Sequence, residues 1–333
     1  HGVSKHLASC RSSYAKFLRW YPHEEPSSPD PGYNQGMALV PVLHSVSYAG
    51  VWPGQARLSL DDFVDRARGL GFSGVMLMAK RPHLSVLDYG PAACARLRER
   101  LEGKGLRCHV VAGYNNFSAD LEHGDVPHRE IQIQHVTELG RMARDLGAGV
   151  VRIFTAYEHP AASYTALWQS TVETLRECAR RVGEFGVTLG VQNHHDLAAD
   201  YRSQRDLVGA VAEPNCRAIF DAWASALQGT DVVAAAREMA PLTCHTTVAD
   251  YQLRPRFRYQ PGVVNYEAQT PWVQAVPLGE GFIDYRGFLQ ALVAGGYQGP
   301  VAYEMCSPLL GGGSLDNLDR YARRFVEFIR RES

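Results

Sequence analysis

The feature that most constrains this chain is a small unit that recurs five times: a helical pattern, a glycine, then a short β-rich run. It appears as Leu70-Gly71-Phe72-Ser73-Gly74-Val75, Gly105-Leu106-Arg107-Cys108-His109-Val110 and Leu146-Gly147-Ala148-Gly149-Val150-Val151. Phe185-Gly186-Val187-Thr188-Leu189 and Gly295-Gly296-Tyr297-Gln298-Gly299-Pro300-Val301 repeat it. Glycine closes a helix through a left-handed residue, and a short continuous apolar run is a strand buried on both faces. The pattern predicts strands at 39–46, 73–79, 106–112, 149–155, 187–193, 216–221, 242–248 and 300–305. Helices are expected near 59–70, 90–104, 128–146, 163–185, 203–212, 229–239, 284–295 and 315–331. Eight alternations that start with β and end with α predict an α/β fold, the (β/α)8 TIM barrel. An open doubly wound sheet is the competitor. It calls for a glycine-rich phosphate loop after the first strand, and His44-Ser45-Val46-Ser47-Tyr48 is not one.

Length is read through that pattern. At roughly 150 residues per domain, 333 residues would suggest about two domains. The repeated unit instead places 37–333 in a single barrel domain. Residues 1–36, with Pro22, Pro26, Pro29 and Pro31 among Ser, Asp and Glu, are expected to be a disordered leader, and Met37 precedes the first strand. The one long connection, 249–283 between the seventh strand and helix, is expected to be an irregular lid.

With 34 Lys+Arg against 35 Asp+Glu, the net charge of -1 removes the simplest case for a nucleic-acid or anionic-membrane partner. No stretch approaches the ~18 consecutive apolar residues of a membrane span. Seven scattered cysteines without a C-x-x-C pair fit reduced thiols and a cytoplasmic location.

In such a barrel the catalytic groups sit at the C-terminal ends of the strands. Those positions hold His44, then Lys80, Arg81 and His83, then Tyr114, Asn115 and Asn116, then Tyr157, Glu158 and His159. Strand 5 offers Gln192-Asn193-His194-His195-Asp196, and strands 6, 7 and 8 end in Asp221, His245 and Glu304. Taken singly, Asp221 reads as a helix N-cap, His245 as a satisfied buried histidine and Glu304 as an ion-pair partner. Together at adjacent strand ends, with Gln192 or His194 beside them, they predict a site for one divalent cation, which would offset the cost of two buried carboxylates. Mixed oxygen and nitrogen ligands suit Mn²⁺, Zn²⁺, Fe²⁺, Co²⁺ or Mg²⁺. Side chains alternate along a strand, so Gln192 and His194 share one face and Asn193 and His195 the other.

The stretch Pro277-Leu278-Gly279-Glu280-Gly281-Phe282-Ile283-Asp284-Tyr285, followed by Gly296-Tyr297-Gln298-Gly299-Pro300 and Tyr303-Glu304, resembles the sugar phosphate isomerase/epimerase branch of the xylose isomerase-like barrel superfamily. The resemblance covers about 38–331. It implies a metal held by Glu, Asp, His and Glu from strands 5 to 8, with Mn²⁺ the first expectation, and assigns Gln192, Asp221, His245 and Glu304 to those positions. Gln192 departs from the family's glutamate; an amide can coordinate through oxygen but is neither acid nor base. The implied activity is metal-dependent isomerisation or epimerisation of a sugar or polyol by proton abstraction beside a carbonyl. Glu304 would be the base, with His194, His195, Lys80 and Glu158 as candidates for the second proton-handling group. His44, Arg81, His83, Glu158, Asn193 and Arg254 are candidates for binding the substrate, as are Arg256, Arg258, Trp52 and Trp272.

Loss of the second glutamate also suits a lyase, and the chain resembles the branch of C-glycoside deglycosidases and 3-keto-glycoside lyases. That branch implies a small partner subunit; a homo-oligomer is the other expectation. A binding protein that has lost catalysis and an abasic-site endonuclease on the same barrel are the remaining classes. The net charge disfavours the endonuclease.

Overall fold

Each recurring glycine does close a helix: Gly71, Gly105, Gly147, Gly186 and Gly296 all have φ between 66° and 93°, where a Cβ would be strained. The computed structural model describes residues 39–332; the leader expected at 1–36 lies outside them. The strands are β1 (Leu39–His44), β2 (Gly74–Met78), β3 (Arg107–Ala112), β4 (Val150–Ile153), β5 (Thr188–Gln192), β6 (Cys216–Ile219) and β7 (Thr243–Val248). They continue with β8 (Asp250–Gln260), β9 (Asn265–Val276) and β10 (Gly299–Tyr303). The helices are α1 (Leu60–Gly69), α2 (Pro91–Gly103), α3 (His128–Leu146), α4 (Tyr164–Gly183), α5 (Tyr201–Val211), α6 (Ala222–Leu227), α7 (Val232–Met239), α8 (Tyr285–Ala294) and α9 (Leu315–Glu332).

Eight strands close in the order β1-β10-β7-β6-β5-β4-β3-β2, every pair parallel. This is a (β/α)8 barrel, with β10 as its eighth strand. Val40, Val42, Met76, Val110, Ala112 and Ala302 fill the interior. A larger apolar layer joins the outside of the barrel to the helices, including the stacked Phe72 and Phe325, 5.7 Å apart. Side-chain caps set the helix starts: Ser59 accepts from the Asp62 N–H, Ser163 from Ala166, and Asp231 from Val233 and Ala234. Among the described residues no helix is long and apolar enough to cross a membrane.

The connection 249–283 corrects the expectation of an irregular lid. Most of it is an antiparallel ribbon, β8 against β9, with its register running from Asp250 opposite Val276 to Gln260 opposite Asn265. Its root is pinned where the Asp250 carboxylate accepts the N–H groups of Gly279 and Gly281, both at 2.9 Å. Phe257, Tyr259, Tyr266 and Trp272 are exposed along it.

Candidate active site at the barrel mouth

The register of the strands decides which side chains meet. Ile219 of β6 lies opposite His245 of β7, so Asp221, two residues on, lies opposite Thr247. The Thr247 N–H donates to Asp221 Oδ1 at 2.6 Å and its hydroxyl to Oδ2 at 2.7 Å. From β5, Gln192 Nε2 donates to Asp221 Oδ2 at 2.5 Å, to Thr247 Oγ1 at 3.4 Å and to Glu304 Oε2 at 3.5 Å. Four neighbouring strands thus bring Gln192, Asp221, Thr247 and Glu304 into one hydrogen-bonded cluster.

His245 is not part of it, which corrects the assignment of a metal ligand there. It shares the inward face with Thr247 but sits two residues deeper, fully buried, near His109, His44 and the Pro300 carbonyl. His109 in turn lies against Gly74, beside the register shift between β2 and β3. Burial first, then His109 and His44, push His245 down to about 3 against the opposing pull of the Pro300 carbonyl, so the ring is neutral.

The cluster does not fit the metal centre that the resemblance implies. Among the described residues no three His, Cys, Asp or Glu side chains come together to hold an ion. Beside Asp221, where the imidazole of His245 was expected, stands the Thr247 hydroxyl. Asp221 already accepts three hydrogen bonds, and Gln192 turns its NH2 toward both carboxylates while its Oε1 has no partner. Donors occupy the place where the expected ligand set would present lone pairs to a cation.

Burial, and then the charge of Glu304, raise Asp221 to about 7 against the pull of those donors. Between the unfolded value near 4 and this folded value, the folded protein keeps a proton that the unfolded chain has released. The contribution of Asp221 to stability is therefore fully present below pH about 4 and is lost as pH rises toward about 7. The buried histidines 44, 194 and 245, all lowered by burial, act in the opposite sense, so the comparison with Asp221→Asn isolates the carboxyl. In urea unfolding between pH 4.5 and 7.5, wild type should lose on the order of a few kcal/mol relative to Asp221→Asn. Parallel pH profiles for the two proteins would remove this assignment.

Above the cluster a cavity of about 520 Å³ opens to solvent, lined by Lys80, Tyr114, Arg152, Phe154, His194 and Glu304 among others. Glu304 is the carboxylate that faces it. His44 Nδ1 accepts the Val46 N–H at 3.2 Å. Burial holds this imidazole well below its usual value, so the neutral ring carries its proton on Nε2, 3.8 Å from Glu304 Oε1. His194 lies against Phe154 at 4.3 Å and His195 at 3.8 Å, and burial pushes it down to about 3. The Lys80 ammonium stands 3.9 Å over the Tyr114 ring. Burial and the neighbouring Arg152 charge lower its pKa.

Other expected site residues lie elsewhere. Asn193 clamps β5 to β6, donating to the Asp221 carbonyl at 2.9 Å and accepting the Asp221 N–H at 2.7 Å. His83 is buried beside the Leu58 carbonyl and Phe63, away from the cavity. Arg81 is exposed and bidentate with Asp88. Glu158 lines a separate cavity with His159 and Tyr164. Arg254 lies on the exposed ribbon opposite Trp272, with Arg256 over that ring. Arg258 on the same ribbon pairs with Glu267, and Trp52 is buried.

Two residues at the centre of the site escaped the sequence reading. Thr247 carries no chemistry that marks it, although it shares a face with His245. Arg152 was hidden in an apolar run, yet it is a lone charge in the middle of a short buried strand, and that was the available signal. Cys306, one of the scattered cysteines, also lines the cavity.

The family described as xylose isomerase-like TIM barrel matches residues 64–332. The chain belongs to this family. Among its relatives is the rhizopine catabolism protein MocC of Rhizobium meliloti, 26% identical over 258 residues, 74% of either chain. Solved structures share the barrel. The probable 3-DHS dehydratase AsbF of Bacillus anthracis has a TM-score of 0.65 at 18% identity, over 86% of this chain and 97% of that one. An L-ribulose 3-epimerase has 0.66 at 16%, over 88% and 94%. The IOLI protein, solved with a bound zinc atom, has 0.67 at 14%, over 87% and 97%. At these identities the likeness is one of fold. Within it, the cluster of this xylose isomerase-like barrel holds Gln192 and Thr247 beside its two carboxylates, while His245, assigned to the site by the resemblance, lies two residues deeper.

Proposed function

We propose that this chain is an enzyme that removes a proton beside the carbonyl of a small hydroxylated substrate, with Glu304 as its single carboxylate base. One observation carries the reading. Of the two carboxylates in the cluster, Asp221 is enclosed by donors and only Glu304 opens to the cavity. A single base favours β-elimination over inversion of a centre. Glu304 takes the proton, the released electron pair forms the new C=C bond, and the β C–O bond breaks. Lys80 supplies the proton that the departing oxygen needs. Burial, with Arg152 nearby, lowers the Lys80 pKa and so favours that transfer.

A second reading is isomerisation or epimerisation. It is supported by Lys80 and His194, which share the cavity and provide a second proton-handling group. The donor set around Asp221 supports a reaction that proceeds without a divalent metal.

Incubation in D₂O with a ketohexose, a 3-keto-glycoside and a ketohexonate separates the readings. Elimination predicts loss of the β substituent, with unchanged rates after dialysis against EDTA. Deuterium beside the carbonyl of an intact skeleton would favour the second reading. No reaction and no exchange with any of the three would sink both, and inactivation by EDTA would refute metal independence.

A further inference from the structure

Arg152 is the largest fully buried side chain of the described protein. It comes from β4, paired with Ala112 and Gly190 on the neighbouring strands, and it lines the mouth cavity. The rings of Tyr114 and Phe154 hold its guanidinium, with centroids 4.8 and 4.3 Å away. Among the described residues none of its three guanidinium nitrogens makes a well-formed hydrogen bond, the contact with the Tyr114 hydroxyl aside. A buried guanidinium is ordinarily paired and hydrogen-bonded, because its desolvation is otherwise uncompensated. Lys80, a second cation, lines the same cavity and feels the Arg152 charge. Two cations without a carboxylate partner of their own among the described residues, one of them buried between aromatic rings, are a device for taking up an anion.

We propose that Arg152 and Lys80 form a carboxylate-binding subsite, so that the substrate is a hydroxylated keto acid with its carboxylate on Arg152 and its reacting carbon toward Glu304. The planar guanidinium fork, held between the aromatic rings at the cavity wall, matches a planar carboxylate. Phosphate, a more highly charged anion, is usually met by several backbone N–H groups as well. The cavity of about 520 Å³ suits a molecule of sugar-acid size. The subsite deepens the proton-abstraction reading by naming its substrate class, but it is a binding property and is measured without turnover.

Thermal shift and calorimetry with D-glucuronate, D-glucose 6-phosphate and D-glucose test it on the full chain. Wild type should bind glucuronate at least tenfold more tightly than glucose or glucose 6-phosphate, and affinity should fall with added salt. Arg152→Met should lose glucuronate binding by about 100-fold, and Lys80→Met by about tenfold. Without ligand, Arg152→Met should melt a few degrees above wild type, since it removes an unpaired buried charge. Equal binding of all three probes, binding of none, or equal glucuronate affinity in wild type and both variants would overturn the subsite. Preference for glucose 6-phosphate would overturn the carboxylate assignment. If Arg152→Met does not fold, Arg152 is a structural residue, and unchanged binding by Lys80→Met then refutes the proposal. Anion binding without any exchange in D₂O would instead leave the subsite standing and remove the proton-abstraction reading.

Discussion

Glu304→Gln should reduce turnover by about a thousandfold while leaving the melting temperature within a few degrees of wild type, because it removes the base and keeps the shape. A factor of that size is about 4 kcal/mol of transition-state stabilisation, within the range of a positioned general base. The amide can keep a hydrogen bond with Gln192 and lies beside His44 as the carboxylate does, so substrate binding should survive. His44→Phe supplies the contrast. It removes the neutral Nε2–H facing Glu304 and should cost about tenfold, with an altered pH profile because the carboxylate loses a polar neighbour. If Glu304→Gln kept a tenth or more of wild-type turnover on the same substrate, Glu304 would not be the base.

The second large effect concerns the cluster beneath the cavity. Gln192→Glu with Thr247→His places a third carboxylate and an imidazole nitrogen in the cluster beside Asp221 and Glu304. The double variant should bind Mn²⁺ or Zn²⁺, and wild type should not. At a hundredfold excess over its dissociation constant, a metal would stabilise the variant by about 2.7 kcal/mol, a rise of several degrees in melting temperature. Without metal, Gln192→Glu alone should lower the melting temperature, since a third carboxylate would face Asp221 and Glu304. An equal shift of wild type and double variant with Mn²⁺ would show that the native donors hold the ion after all.

The barrel was legible because its signals are local. A left-handed glycine after each helix and a short apolar run after the glycine require no knowledge of what packs where. The ribbon of β8 and β9 was also partly written in the chain, as Tyr251, Leu253, Phe257 and Tyr259 at alternate positions. Pro255, which cannot donate to a ladder, interrupts that alternation where the register slips between Arg254 and Arg256. Asp221 and Glu304 could be found because each ends an apolar run with a charge. The error at His245 has a different origin. Residue type marks imidazole as a ligand, but height along the barrel depends on the register between β6 and β7, and two residues of strand separate His245 from the cluster. Arg152 was missed for a related reason, since a long side chain rooted in the barrel wall can reach a mouth that its sequence position does not suggest.

The closure of β1 against β10 also governs how the protein becomes active as it folds. The two strands are joined by the longest loop in the sheet, and forming that contact pays the chain entropy of nearly the whole domain. Glu304 follows β10 directly, so the residue proposed as the base reaches the cavity only when the last strand docks. A partly folded barrel lacking that strand would hold Arg152 and Lys80 with nothing to abstract a proton. The capacity to react therefore requires β10 in its place between β1 and β7.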